Sequence, residues 1–174
     1  MLEKISPTQL YRKPWGRFGK ILPDYFYKST FLLLLQLFQF NMDKIEHLGI
    51  AVKDLKTAGE TYTKLLGKLP YKTESVESEG VNTMFFETGE SKIELLEATN
   101  ADSPIARFID KKGEGIHHIA FAVSDIRSEM KRLESEGFTL LNSEPKIGAD
   151  NKWVCFLHPK NSHGVLVELC QDRG

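Results

Sequence analysis

The chain carries one pattern twice, and that repetition restricts its fold more than any other feature. Glu46-His47-Leu48-Gly49-Ile50-Ala51-Val52-Lys53-Asp54-Leu55 matches His117-His118-Ile119-Ala120-Phe121-Ala122-Val123-Ser124-Asp125-Ile126 as H-x-x-x-A-V-x-D-[LI]. The histidine, alanine, valine and aspartate of the pattern keep an offset of 71 residues (118 − 47). A unit repeated at a fixed spacing is one supersecondary module that finds its packing partner in the next copy.

Each copy reads as a strand that runs into a helix. Asp54 and Asp125 are N-caps, because a short carboxylate accepts a free first-turn N–H. Leu55, Ala58, Tyr62, Leu65 and Leu66 form one apolar helical stripe, and Ile126, Met130 and Leu133 form the other. Gly67 and Gly137 follow the stripes, where helices commonly end. Met84–Glu87, a turn at Thr88-Gly89-Glu90-Ser91 and Lys92–Leu96 then read as a hairpin. Trp153–His158, a longer turn through Pro159–Gly164 and Val165–Leu169 are its counterpart. The spacing between the copies grows here to 74 (168 − 94), so the second copy has gained about three turn residues. Each module, about 45–97 and 117–170, is thus β-α-β-β-β, an α+β arrangement. Between them Ser103-Pro104 opens a short amphipathic helix through Ile105, Phe108 and Ile109.

Two chemistry-bearing types recur in register: His47 with His118 on the first strand, and Glu94 with Glu168 on the last. Strand alternation puts His47 on one face with Gly49 and Ala51, small residues that leave room for a ligand. Leu48, Ile50 and Val52 face the helix. The alignment selects His118, which has Ala120 and Ala122 as face-mates, and parity turns His117 away from the site. Glu94 and Glu168 lie inside apolar strands, where an unpaired carboxylate is costly and a cation removes the cost. Two imidazoles and two carboxylates suit a divalent first-row ion with open positions. His158 and His163 stand in or beside a turn, with solvated and substrate-contacting roles both open.

Composition narrows the partners. A net charge of −1 gives no general attraction to nucleic acid or to an anionic membrane. The two cysteines, Cys155 and Cys170, sit in apolar runs as structural thiols, which favours a reducing compartment and a cytoplasmic location. Residues 1–41 are unlike the rest. A basic stretch precedes Phe31–Phe40, FLLLLQLFQF, in which eight of ten residues are apolar. A spanning helix needs roughly 20 such residues, and no A-x-A-like cleavage site follows. We expect the native start at Met42, with residues 1–41 an upstream artefact of gene calling; a peripheral membrane anchor is the alternative.

With these residues in place, positions 45–171 resemble the vicinal oxygen chelate superfamily, which includes glyoxalase I and extradiol dioxygenases. The resemblance implies paired βαβββ modules forming a cupped mixed sheet around one metal. Glu144-Pro145-Lys146-Ile147-Gly148-Ala149, Phe156-Leu157-His158-Pro159-Lys160, Gly164–Leu169 and Gly115–Ala120 narrow it to the methylmalonyl-CoA epimerase family. That resemblance covers nearly all of the chain after Met42 and none of residues 1–41. It implies an isomerase that interconverts the C2 epimers of methylmalonyl-CoA through an enolate. His47, Glu94, His118 and Glu168 would hold one divalent ion (cobalt, zinc, manganese, nickel or magnesium). Glu168 would also carry a proton. The second proton carrier is open: some epimerases have a glutamate shortly after a Gly-Val pair, where this chain, counting from Gly80-Val81, has Thr83, with Glu77 and Glu79 just before it. Lys146 and Lys160 could contact the CoA phosphates or the malonyl carboxylate. A homodimer is implied as well. The rival readings are a glyoxalase I-like lactoylglutathione lyase and a non-enzymatic small-molecule-binding protein of the same fold.

Overall fold

The computed structural model describes residue 42 and residues 44–174; the expectations about residues 1–41 lie outside the described residues. The first module consists of β1 (Lys44–Ala51), α1 (Leu55–Leu66), β2 (Lys72–Val76), β3 (Val81–Thr88) and β4 (Ser91–Ala98). Helix α2 (Pro104–Lys112) connects it to the second, which has β5 (Gly115–Ala122), α3 (Ile126–Ser135), β6 (Lys146–Ile147), β7 (Lys152–Leu157) and β8 (Leu166–Asp172). Both copies are β-α-β-β-β, as the repeat requires. Among the described residues no helix is long and apolar enough to cross a membrane.

The local causes are those legible in the sequence. Asp54 Oδ1 accepts from the Thr57 N–H at 2.6 Å, and Asp125 Oδ1 accepts from the Ser128 N–H at 3.0 Å. Gly67 ends α1 at φ 66°, a left-handed conformation that costs glycine little. Ser103 caps α2, with Pro104 in its first turn. The apolar stripe of α1 needs one correction. Leu55 is buried, and Ala58, Tyr62 and Leu66 pack on Phe86 and Leu95, but Leu65 is 71% exposed. The buried face is rotated toward Gly59, where a side chain would overlap the Met84 sulfur at 2.7 Å, so Leu65 is carried out to solvent.

All eight strands form one mixed sheet in the order β2-β3-β4-β1-β5-β8-β7-β6. Within each module the first and last strands pair in parallel, β1 with β4 and β5 with β8. The modules join where β1 and β5 run antiparallel. In that pairing Leu48 faces Ile119, its own repeat equivalent (119 − 48 = 71), so a pseudo-twofold axis passes between them.

The sheet curls until its two ends meet. Asp150, in the loop between β6 and β7, accepts from Tyr71 Oη at 2.8 Å and from Lys72 Nζ at 3.3 Å on the opposite edge. It also accepts from Lys92 Nζ at 2.6 Å, while its own N–H donates to Glu74. Asp150 and Asn151 hold φ values of 52° and 57°, uncommon for residues other than glycine and supported here by these bonds. The outer face carries two helix-on-sheet cores, one under each of α1 and α3. Helix α2 covers Ala51, Val81 and Leu96 of the first module. The rest of the concave side, which Pro104 and Ile105 of α2 help to line, is left for a site.

The caps of α1 and α3 act away from that concave side. Replacing Asp54 or Asp125 by alanine is expected to lower unfolding free energy by about 1 kcal/mol each, and additively in the double variant. Urea denaturation followed by circular dichroism measures both.

Candidate metal centre

The twofold relation brings the repeated histidines and glutamates together from four central strands. Glu94 lies beside Gly49 in the β1–β4 register and Glu168 beside Ala120 in the β5–β8 register. All four side chains are buried. His47 Nε2 stands 2.9 Å from His118 Nε2. A Glu94 oxygen lies 3.2 Å from the first and 3.5 Å from the second of these nitrogens. A Glu168 oxygen lies 3.2 Å and 3.0 Å from them. Donors about 2.1 Å from one ion stand roughly 3.0–3.4 Å apart at octahedral or tetrahedral angles. His47, His118 and Glu168 stand close to that spacing and form a candidate ligand group, with a Glu94 oxygen beside both imidazoles.

The small residues around the histidines have a different purpose from the one parity suggests. A Cβ built on Gly49 would come within 2.2 Å of His118 Cε1. The space beside His47 is therefore occupied by the partner imidazole, and Gly49 is what lets the two rings converge, edge to face, at a centroid distance of 5.0 Å.

His117 also departs from expectation. Along β1–β5 the register passes from Gly49–His118 directly to Ile50–Ile116, leaving His117 as the extra residue of a bulge. A bulge breaks strict alternation. His117 therefore lines the same cavity as His118, and its Nδ1 lies 2.9 Å from His118 Nδ1. The same irregularity occurs at the repeat-equivalent place, where Glu46 is skipped between Ile45–Phe121 and His47–Ala120. Glu46, which the sequence reading passed over, is buried with Oε2 2.5 Å from His47 Nδ1. The signal that would have found it is the repeat itself, taken one residue further back.

The electrostatics follow from this packing. Burial disfavours charge on His47, but hydrogen bonding with Cys170, Glu168, Glu46 and Glu94 outweighs it and raises its pKa well above the ordinary imidazole value. His118 is raised in the same manner, with Glu168 and Glu94 overcoming burial. Glu94 and Glu168 are held low despite burial, the latter to about 2, by the two imidazoles. His117 moves the other way, to about 4, through burial and the neighbouring His118 charge. Without another cation, the negative charge of the cluster is thus balanced by imidazole protons.

A cavity of about 250 Å³ opens on the group and is lined by Glu94, His117, His118 and Glu168 together with apolar residues of both modules. Thr83 is fully buried in its wall and Glu79 also lines it, whereas Glu77 is exposed and does not. Lys146 stands on the lining with Nζ 3.5 Å from Glu79 Oε1. Lys160 lies exposed in the 3-10 turn Pro159–Ser162, away from the lining. His158 caps that turn through Nδ1, which accepts from the Lys160 N–H at 3.1 Å, and His163 ends it at φ 54°.

Residues 46–156 match the family model of the glyoxalase/bleomycin resistance protein/dioxygenase superfamily. The chain belongs to that superfamily. It is 43% identical over 130 residues to the ethylmalonyl-CoA/methylmalonyl-CoA epimerase of Cereibacter sphaeroides, covering 74% of this chain and 97% of that protein. It is 41% identical over 133 residues to human mitochondrial methylmalonyl-CoA epimerase, covering 76% of each. Among solved structures, a variant of Streptomyces coelicolor methylmalonyl-CoA epimerase in complex with 2-nitronate-propionyl-CoA superposes with a TM-score of 0.73 at 35% identity, over 76% of this chain and 99% of that one. Glyoxalase-superfamily members bind a divalent metal, and the candidate group of His47, His118 and Glu168 suits that chemistry.

Two outcomes follow from the packing and charge of this superfamily site. Gly49→Ala should displace His118 and reduce Zn²⁺ binding at least tenfold, read by titration calorimetry, with the helical signal retained. Since both candidate imidazoles have raised pKa values, they stay protonated up to and past the ordinary imidazole value and would have to lose a proton to bind metal. Affinity should therefore rise with pH, and binding near pH 6.5 should release between about one and two protons. Calorimetry in buffers of different ionisation enthalpy counts them, and zero release would contradict the charge assignment.

Proposed function

We propose that the chain is a methylmalonyl-CoA epimerase, with His47, Glu94, His118 and Glu168 as the ligands of one divalent ion. The observation that carries the site assignment is the convergence of His47, His118 and Glu168 at spacings near 3 Å, with a Glu94 oxygen 3.2 Å from His47 Nε2. The epimerase relatives favour this activity over the lyase of glyoxalase I and over ligand sequestration.

Epimerisation removes the C2 proton between a thioester and a carboxylate and returns one on the other face. A divalent ion held by His47, Glu94, His118 and Glu168 would supply the Lewis acidity that acidifies this carbon. Glu168 is ionised at neutral pH and therefore in the form that accepts a proton from C2. The apolar walls, among them Val81, Leu96, Val154 and Phe156, exclude water from the resulting enolate. A cavity of about 250 Å³ supports binding of the small acyl end, and Lys146 on its lining supports a role toward the anionic groups of CoA. Glu79 lines the cavity and Glu77 does not, which makes Glu79 the stronger of the two candidates for the second proton carrier.

We further assign the domain to residues 42–174 and place the protein in the cytoplasm. Cys155 and Cys170, both buried and unpaired, support a reducing compartment. A homodimer is supported by the exposed apolar side chains Leu65 and Leu69.

The test is washout of C2 deuterium from methylmalonyl-CoA in H₂O. Exchange should require a divalent ion, stop with chelator and fall at least a hundredfold in Glu168→Gln. Glu79→Gln should slow it as well, and full exchange in that variant would remove Glu79 from the mechanism. Absence of exchange in the metal-loaded protein would overturn the epimerase assignment, and exchange that persists with chelator would overturn the assignment of a metal to the site.

A further inference from the structure

Resting on the ligand assignment above, we propose that Glu46 is the positioning residue that holds His47 as a ligand through Nε2, and that His117 does the same, more weakly, for His118. Both occupy one place in the repeat, 71 residues apart (117 − 46), and both reach it by the same device. Each is the extra residue of a β1–β5 bulge, which turns it toward the side chain of the histidine that follows. Each meets the Nδ1 of that histidine, at 2.5 Å for Glu46 and 2.9 Å for His117. In both rings Nε2 is then the nitrogen directed at the other donors. An acceptor on Nδ1 fixes the tautomer, orients the ring and strengthens Nε2 as a donor.

The two partners are unequal. Glu46 is anionic and fixed at both ends: Oε2 contacts His47, and Oε1 accepts from Lys92 Nζ at 2.7 Å and Lys152 Nζ at 3.1 Å. Lys92 belongs to the first module and Lys152 to the second, so the carboxylate is clamped from both. Its rotamer is thereby set without reference to the metal. His117 has an imidazole nitrogen to offer in place of a carboxylate, and its ring is steadied by Phe108, edge to face at 5.0 Å. A carboxylate is the stronger acceptor, so His47 is the more firmly held ligand.

Glu46→Gln tests this without stranding the lysines, because Lys92 keeps Asp150 and Lys152 keeps Asp172. With Co²⁺ as the probe, affinity should fall by about 10- to 100-fold and the visible absorption bands of the bound ion should shift. The unfolding midpoint of the metal-free variant should stay near that of the unmodified chain, which a purely structural glutamate would not allow. His117→Phe should weaken Co²⁺ binding less than Glu46→Gln does. In the unmodified Zn²⁺-loaded chain, nitrogen-15 spectra of the imidazoles should show Nδ1 protonated and Nε2 metal-bound for both histidines, a measurement that needs no variant to fold. Equal Co²⁺ affinity and spectrum in Glu46→Gln, or zinc on Nδ1 of His47, would overturn the proposal alone. Failure of the unmodified chain to bind Co²⁺ would overturn the ligand assignment and this proposal with it.

Discussion

The antiparallel contact between β1 and β5 is the constraint on which the remaining architecture hangs. It is the one seam where two copies of a module meet, and its register sets what faces what. With Leu48 opposite Ile119, the histidine of each copy projects beside that of the other, and the parallel strand on each flank delivers a glutamate to the same point. Moving this register by one residue would turn each histidine to the helix-packed side. The apolar clusters under α1 and α3 oppose such a slip, since Ile50, Val52 and Val123 would lose their burial.

Most of this was legible in the sequence because it depends on periodicity. The repeat gave the modules. The aspartates and glycines gave the helix ends, and the lengthened turn accounted for glutamates spaced three residues further apart than the histidines. What escaped were departures from periodicity. Parity assumes an unbroken strand, so it misjudged His117 and passed over Glu46, both extruded by bulges that leave no compositional mark. Leu65 failed for a related reason: a helical stripe has edges, and Gly59 moved the buried face by a fraction of a turn. The purpose of Gly49 was also invisible, because the residue it accommodates lies 69 positions away (118 − 49) on another strand.

The charge balance of the site has a physical logic of its own. Three carboxylates, Glu46, Glu94 and Glu168, are taken out of water around two imidazoles. Such a group is costly to bury unless positive charge accompanies it. Glu46 obtains its share from lysines of both modules. Among the described residues Glu94 and Glu168 pair with the imidazoles alone, and this is the pair that a divalent ion would relieve. The protein thus separates a carboxylate neutralised by lysines from two neutralised by imidazoles, whose place a divalent ion could take.

The pseudo-twofold axis between Leu48 and Ile119 carries a consequence for the ancestry of such a site. One module pairing with a second copy of itself through this seam would bring two histidines and two glutamates together with true symmetry. Such a homodimer must place identical groups on both sides of whatever it holds. Two copies joined in one chain are free to diverge, and these have: a glutamate stands at position 46 and a histidine at its counterpart 117, and only the second copy carries the longer turn before its last strand. A carbon centre whose two faces must be handled by different groups asks for that freedom, and covalent duplication is the simplest way for a symmetric scaffold to acquire it.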